Sequence, residues 1–334
     1  MIVDIMDCTC DFILPTLKNW EEHYDNCKIR WLSRGETKFI KNNDGTIILR
    51  NEHVLKMKVD VLYHLGFDTH THDLPSMFGD VKFVCMGGTK QRMMEMAKYM
   101  SNLLGVECDL VNLVKHAHRY AMYKVGPVLC VSHGIGIPSL TIALEEVIKM
   151  LYYAKAKDPI FIRIGTSGGI GLPAGSVVVS SWGCSGTLEK TYEIAILGKV
   201  KKYSAYFDKR LSQELFSISS DCVDFETFSG GTLAANDFYR GEARTDGAFC
   251  SYTETDKLDF LRKLKSMGVL NMEMEATAFA AVTRDAGLRG ADVCVTLLDR
   301  LQGDQVTPSK ETLTVWQRRP LVLVGKYICK YYNI

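Results

Sequence analysis

One stretch limits the possible folds more than any other. Ile160-Phe161-Ile162-Arg163-Ile164 runs directly into Gly165-Thr166-Ser167-Gly168-Gly169-Ile170-Gly171. A short apolar, β-branched run bounded by glycines is the pattern of a strand buried on both faces. The spacing predicts a strand over about 159–164, ending in a glycine-rich loop with free backbone N–H groups. Arg163 lies inside the apolar run, where a charge needs a partner. A cation, the hydroxyls of Thr166 and Ser167 and a glycine turn at one strand end suit an anionic oxygen ligand, phosphate first. A tight turn with a surface-paired arginine fits the same residues. No Gly-Lys-Ser/Thr follows, so this is not a Walker A loop, and no Gly-x-Gly-x-x-Gly run is present.

The flanking sequence repeats strand and helix signals. Lys82 to Gly88 reads as a strand running into glycines, and Thr89 to Gly105 as a helix with Met93, Met96 and Met100 on its core face. Tyr120–Val125 and Val128–His133 read as a hairpin turned at Gly126-Pro127. A helix after Pro138 aligns Leu140, Leu144, Val147, Ile148 and Leu151. Further strands are predicted at Ser176–Ser181 and Val293–Leu298, and helices at Leu258–Met267, at Met272–Ala286 and at Thr312–Tyr332, with Pro320 breaking the last. Alternating elements of this kind predict an α/β fold. With no linker after residue 55, the chain divides into an irregular N-terminal arm, 1–50, and one domain, 51–334.

Composition narrows the function. Of 334 residues, 47% are hydrophobic and the formal net charge is +1, so a large core is affordable and no polyanion is attracted by overall charge. No basic patch interleaved with aromatics marks a nucleic-acid surface. No run approaches a membrane span and no secretory signal is visible, so the expected location is cytoplasmic. The 11 cysteines show no metal-ligand spacing. Cys85, Cys130 and Cys294 lie in apolar runs and read as buried thiols, which suits a reducing compartment. No metal and no cofactor are expected.

Four places carry candidate chemistry. Gly87-Gly88-Thr89-Lys90-Gln91-Arg92 puts an arginine at the start of a helix, as a phosphate site would or as a solvated helix end would. Arg163 to Gly169 is the second. In Asn271-Met272-Glu273-Met274-Glu275 two glutamates open a predicted helix, either as caps or as acceptors for sugar hydroxyls beside a methionine. In Phe238-Tyr239-Arg240-Gly241-Glu242-Ala243-Arg244, an extended strand would turn Glu242 and Arg244 the same way, towards one planar ligand or into an exposed ion pair.

Taken together, these segments resemble the uridine phosphorylases of animals, within the nucleoside phosphorylase family. The resemblance runs from about Asp60 to Lys330. It is carried by Asp60-Val61-Leu62-Tyr63-His64, Phe78-Gly79-Asp80-Val81-Lys82-Phe83-Val84-Cys85, Arg119 to Leu129, Arg163 to Leu172, Cys250-Ser251-Tyr252-Thr253-Glu254 and Glu273-Met274-Glu275. It implies a single-domain nucleoside-phosphorylase-like fold, with a central twisted mixed β-sheet flanked by helices. It implies reversible phosphorolysis of uridine to uracil and ribose 1-phosphate, with inorganic phosphate as co-substrate. Gly88, Arg92, Arg163 and Thr166 would hold the phosphate, joined by Arg119 from a neighbouring subunit. Met274 and Glu275 would hold the ribose, with His64 crossing the interface to its 5′-hydroxyl. Phe238 would stack on the base and Arg244 would bond one of its carbonyls. Residues crossing in this way imply a homodimer with shared sites.

Two positions depart from the resemblance. The pyrimidine-specific members read Gly-Gln-x-Arg where this chain has Glu242. An ionised carboxylate only accepts hydrogen bonds, so it would take the base N3–H but repel a carbonyl. Arg244 favours the ionised form and burial the acid form. At Leu297-Leu298-Asp299-Arg300 the uridine enzymes have Asn before the arginine, and purine-cleaving relatives have Asp. Asp299 is therefore a candidate for the base pocket, or for an ion pair with Arg300 at its entrance. Altered base specificity, or a weakly active or inactive binding protein, are the competing expectations.

Overall fold

The computed structural model describes residues 42–334, and its centre is a mixed sheet of eight strands in the order β11-β10-β7-β12-β6-β3-β5-β4. In chain order the strands among the described residues are β1 (Val61–Leu62), β2 (Phe67–Asp68), β3 (Phe83–Gly87), β4 (Met122–Val125), β5 (Val128–Ser132), β6 (Ile160–Gly169), β7 (Val177–Cys184), β8 (Thr191–Ile196), β9 (Lys199–Ser204), β10 (Thr227–Ala234), β11 (Val269–Glu273) and β12 (Arg289–Asp299). The helices are α1 (Glu52–Leu55), α2 (Leu74–Phe78), α3 (Lys90–Leu104), α4 (Ile137–Tyr153), α5 (Lys209–Ile218), α6 (Glu254–Ser266), α7 (Ala276–Asp285) and α8 (Lys310–Tyr332). The predicted α/β architecture with a mixed sheet is therefore present.

Period-two alternation builds two cores. On β6, Phe161 joins a cluster with Leu140, Leu144 and Val147 of α4 and Phe279 of α7. Ile160, Ile162 and Ile164 point the other way, to Met93, Met96 and Met100 of α3, Leu215 of α5 and Leu323 and Ile328 of α8. Arg163, two residues after Phe161, thus faces α4 and α7.

The glycine run departs from the sequence expectation. It is strand rather than loop: Gly165 to Ser167 align with Cys294 to Thr296 of β12. Gly168 and Gly169 align with Met272 and Asn271 of β11. Since β11 also pairs with β10, strands β6, β12, β7, β10 and β11 close into a ring. The glycines are needed for close approach. A Cβ on Gly165 would lie 2.7 Å from Cys294 Sγ and 3.0 Å from Arg163 Nη1, and one on Gly168 would lie 2.9 Å from Arg300 Cγ.

Other expectations shift in detail. The hairpin at Gly126-Pro127 forms as antiparallel β4 and β5. Asn271 to Glu273 end strand β11, and α7 begins only at Ala276. Pro320 lies inside α8 without ending it. A proline in a helix interior costs about 3 kcal/mol. Leu321, Leu323, Val324, Tyr327 and Ile328 are buried beyond it, and burial of each large apolar side chain returns about 1.5–3 kcal/mol. Of the arm assigned to 1–50, residues 42–50 are described: Thr46 bridges to Lys157 and Ile47 is buried in the core. The rest of the arm, with Cys8 and Cys10, lies outside the described residues. Among the described residues no helix is long and apolar enough to cross a membrane.

Candidate active site

A cavity of about 250 Å³ opens where β6 meets β11 and the helices that follow β3, β5 and β11 begin. Gly88, Arg92, Arg163 and Thr166 line it, together with Met274, Glu275, Phe238, Glu242 and Arg244. The residues predicted for phosphate, sugar and base thus converge from four separate segments. Of the residues predicted for phosphate and ribose, two do not join them. Arg119 is exposed and outside this cavity. His64 lines a second cavity of about 530 Å³, where its Nδ1 is 2.7 Å from Glu146 Oε1.

Arg163 anchors the first wall. Its guanidinium meets three carboxylates: Glu273 at 2.7 Å, Asp292 at 2.7 Å, and Glu275. Burial opposes the charge of Arg163, but Glu273, Asp292 and Glu275 outweigh it and push its pKa well up. Glu273 caps α7 by accepting from Glu275 N at 2.8 Å and Ala276 N at 2.9 Å. Burial raises the Glu273 carboxyl well above the usual range, with Glu275 adding to it. Burial acts on Glu275 in the same direction. Arg163 and the Gly136 N–H prevail, so its pKa falls and it stays an acceptor. The two glutamates of one motif therefore differ: Glu273 caps the helix, and Glu275 is an ionised carboxylate on the cavity wall.

Asp292 is held from behind. It lies opposite Arg163 in register. Its second oxygen is 2.8 Å from Ser180 Oγ, and side-chain bonds continue through Thr232 (2.6 Å) and Asn271 (2.7 Å) to Ser167 (3.0 Å) on the cavity wall. This buried chain begins and ends on β6, so Arg163 and Ser167 are fastened to one framework.

The same wall holds unused donors. The Nε groups of Arg92 and Arg163 and both ring nitrogens of His133 are buried without a hydrogen-bond partner among the described residues. Arg92 begins α3, where Thr89 caps its N–H at 3.1 Å and Gln317 meets Nη2 at 3.2 Å. Burial holds His133 neutral by lowering its pKa to about 3. Buried guanidinium donors without acceptors call for an anion with several oxygens.

The second wall is made of turns, not the extended strand predicted for Glu242 and Arg244. Ala243 between them adopts a left-handed φ of 54°. The Arg244 guanidinium lies 4.3 Å from the Phe238 ring centroid. Glu242 Oε2 is 3.2 Å from Arg300 Nη1 and 3.8 Å from Arg244 Nη1. Arg300 is fully buried and also pairs with Asp304 at 2.9 Å. Asp299 does not enter the base pocket. Its Oδ1 accepts from Gly171 N at 2.8 Å and Leu301 N at 3.0 Å, tying two turns together. It forms no ion pair with Arg300.

Sequence reasoning missed Asp292, His133 and Asp304. Asp292 had a readable signal: it interrupts the apolar run of β12 just as Arg163 interrupts β6. The family model described as the phosphorylase superfamily matches residues 82–328, which contain all of these residues. The chain belongs to this family. It is 48% identical to uridine phosphorylase 1 of Mus musculus, over 88% of this chain and 96% of that one. The crystal structure of uridine phosphorylase from Schistosoma mansoni in complex with thymidine superposes with a TM-score of 0.83 at 40% identity, covering 86% of this chain and 99% of that one. The inactive uridine phosphorylase B of Schistosoma mansoni is 38% identical over 83% of this chain and 94% of its own length. Within the superfamily the chain is a uridine phosphorylase-type protein.

Proposed function

We propose that this protein is a pentosyltransferase that cleaves uridine with inorganic phosphate, reversibly, to uracil and ribose 1-phosphate. The observation that carries this reading is the single cavity in which buried, unsatisfied arginine donors, an ionised glutamate and an arginine stacked on a phenylalanine come together. Arg92, Arg163, Thr166 and Gly88 hold phosphate against C1′ of the ribose, which lowers the entropic barrier of a two-substrate reaction. Glu275 accepts the ribose hydroxyls and Met274 packs against the sugar. As the bond from C1′ to N1 lengthens, the sugar becomes cationic and the base anionic. Arg244 meets the charge growing on the base, so its bond strengthens towards the transition state. The chemistry needs no cofactor beyond the phosphate co-substrate, and no metal.

The working unit is a homodimer in which Arg119 and His64 serve the neighbouring subunit's site, in a cytoplasmic enzyme whose catalytic domain spans 51–334. Support comes from the position of both residues outside their own chain's cavity, and from the exposed Tyr63, Ile135 and Ile142 on the segments around them. The test is release of free base from uridine, thymidine, inosine and guanosine, each with phosphate. Uridine turnover is expected. Turnover of purine nucleosides alone would overturn the uridine reading.

A further inference from the structure

Glu242 is a carboxyl placed where another negative charge has little to balance it. It is 4% exposed. The cations around it are already matched. Arg300 pairs with Asp304 at 2.9 Å, Arg244 with Asp246 at 3.1 Å, and Lys257 with Asp304 at 3.0 Å and Glu254 at 2.9 Å. Three cations thus stand against three carboxylates before Glu242 is counted. Glu275, across the cavity, adds a further negative charge.

Uracil presents a carbonyl, N3–H and a second carbonyl along one edge. A neutral carboxyl matches half of that edge with two bonds: its carbonyl oxygen accepts N3–H, and its O–H donates to the adjacent base carbonyl. An ionised carboxylate makes the first bond and opposes the second. We propose that Glu242 reads the base in its acid form, so that the proton on Glu242 gates uridine cleavage. This rests on the uridine reading above.

The geometry allows it. Glu242 Oε2 accepts from Arg300 Nη1 at 3.2 Å, so in the acid form it is the carbonyl oxygen, with a second lone pair for N3–H, while Oε1, which no described residue hydrogen-bonds, carries the proton towards the base carbonyl. Burial, aided by Glu275 and Asp304 and opposed by Arg300 and Arg244, lifts the Glu242 pKa to about 7. In the reaction the C1′–N1 bond breaks, its electron pair passes to the uracil ring, and a phosphate oxygen bonds C1′. Negative charge then grows on the base carbonyls. The acid form donates a hydrogen bond to that charge, whereas the carboxylate faces it with another negative charge.

The experiment is the pH profile of kcat/KM for uridine between pH 5.5 and 9 at saturating phosphate, for the natural protein and Glu242→Gln. Gln offers an acceptor and a donor at every pH. The ratio of natural to variant activity is expected to fall about tenfold per pH unit above pH ~7, as loss of one proton requires. Calorimetry of uracil binding at pH 8 in two buffers supplies a readout independent of turnover. The natural protein should take up close to one proton, and Glu242→Gln none. A ratio that stays flat with pH while both proteins cleave uridine, or a variant that is the slower one only at high pH, overturns the role of Glu242 alone. No uracil from either protein at any pH overturns the uridine reading and this inference with it.

Discussion

The two walls of the cavity are electrostatic inverses. On one, a buried arginine is ringed by carboxylates: Arg163 by Glu273, Glu275 and Asp292. On the other, a buried carboxyl lies between guanidinium groups: Glu242 by Arg300 and Arg244. Their supports differ as well. Arg163, Asp292 and Glu273 belong to strands, whereas Glu242 and Arg244 belong to turns. The lesson is that the arginine-centred wall is built into the sheet and the Glu242 wall is carried on turns. Changes at the first should damage folding and catalysis together. Changes at the second should alter activity or specificity while the fold persists.

Arg163→Leu should break the first wall most severely. Leaving buried carboxylates unpaired costs about 3–5 kcal/mol, so urea denaturation should show a large drop in midpoint along with loss of phosphorolysis. A stable, inactive Arg163→Leu protein would mean that the carboxylates do not depend on it.

Asp292→Asn keeps the shape but removes the charge behind Arg163. We expect KM for phosphate to rise about tenfold, equivalent to ~1.4 kcal/mol, with KM for uridine changed far less. Equal changes in both would show that Asp292 acts on the whole site and not on Arg163.

Phe238→Ala tests the other wall. Stacking on an aromatic ring is worth about 1–3 kcal/mol per base, so KM for uridine should rise roughly ten- to a hundredfold. The ring is 43% exposed, so thermal stability should hardly move. A large drop in melting temperature would contradict the picture of a loop wall added to a stable sheet.

How much of this contrast can be read from the sequence follows from the same division. Arg163 was readable because a charge within a β-branched run demands a partner, and the partner, Asp292, interrupts β12 in the same manner. The helix after Gly88 announced itself through its methionines, which are buried as expected. The role of the glycines was not readable. Gly165 and Gly168 look like a loop in one dimension, but they pair with β12 and β11, and Arg163, Cys294 and Arg300 leave no room there for a Cβ. Glu273 and Glu275 could not be told apart by spacing, since one caps α7 and the other faces the cavity through the turn between β11 and α7. Asp299 looked like a base contact by its position, yet its oxygen serves two backbone N–H groups. The protonation of Glu242 depends on Asp304, Asp246 and Lys257, which no local pattern brings together.

A separate expected effect, on stability alone, concerns His133. Folding keeps it neutral with a pKa of about 3, while the unfolded chain takes up a proton near the usual histidine value. Between those values the unfolded state binds more protons, so stability should decline as pH falls below about 6.5. His133→Asn should flatten this decline in melting temperature between pH 6.5 and 4.5. An unchanged slope would assign the acid sensitivity to other groups.

The central claim is that bound phosphate, held by the arginine wall, is the nucleophile. Incubation of the purified protein with uridine and isotopically labelled phosphate tests it most directly. Uracil and labelled ribose 1-phosphate are expected in equal amounts, with no uracil when phosphate is left out. Uracil accompanied by free ribose, formed without phosphate, would contradict it.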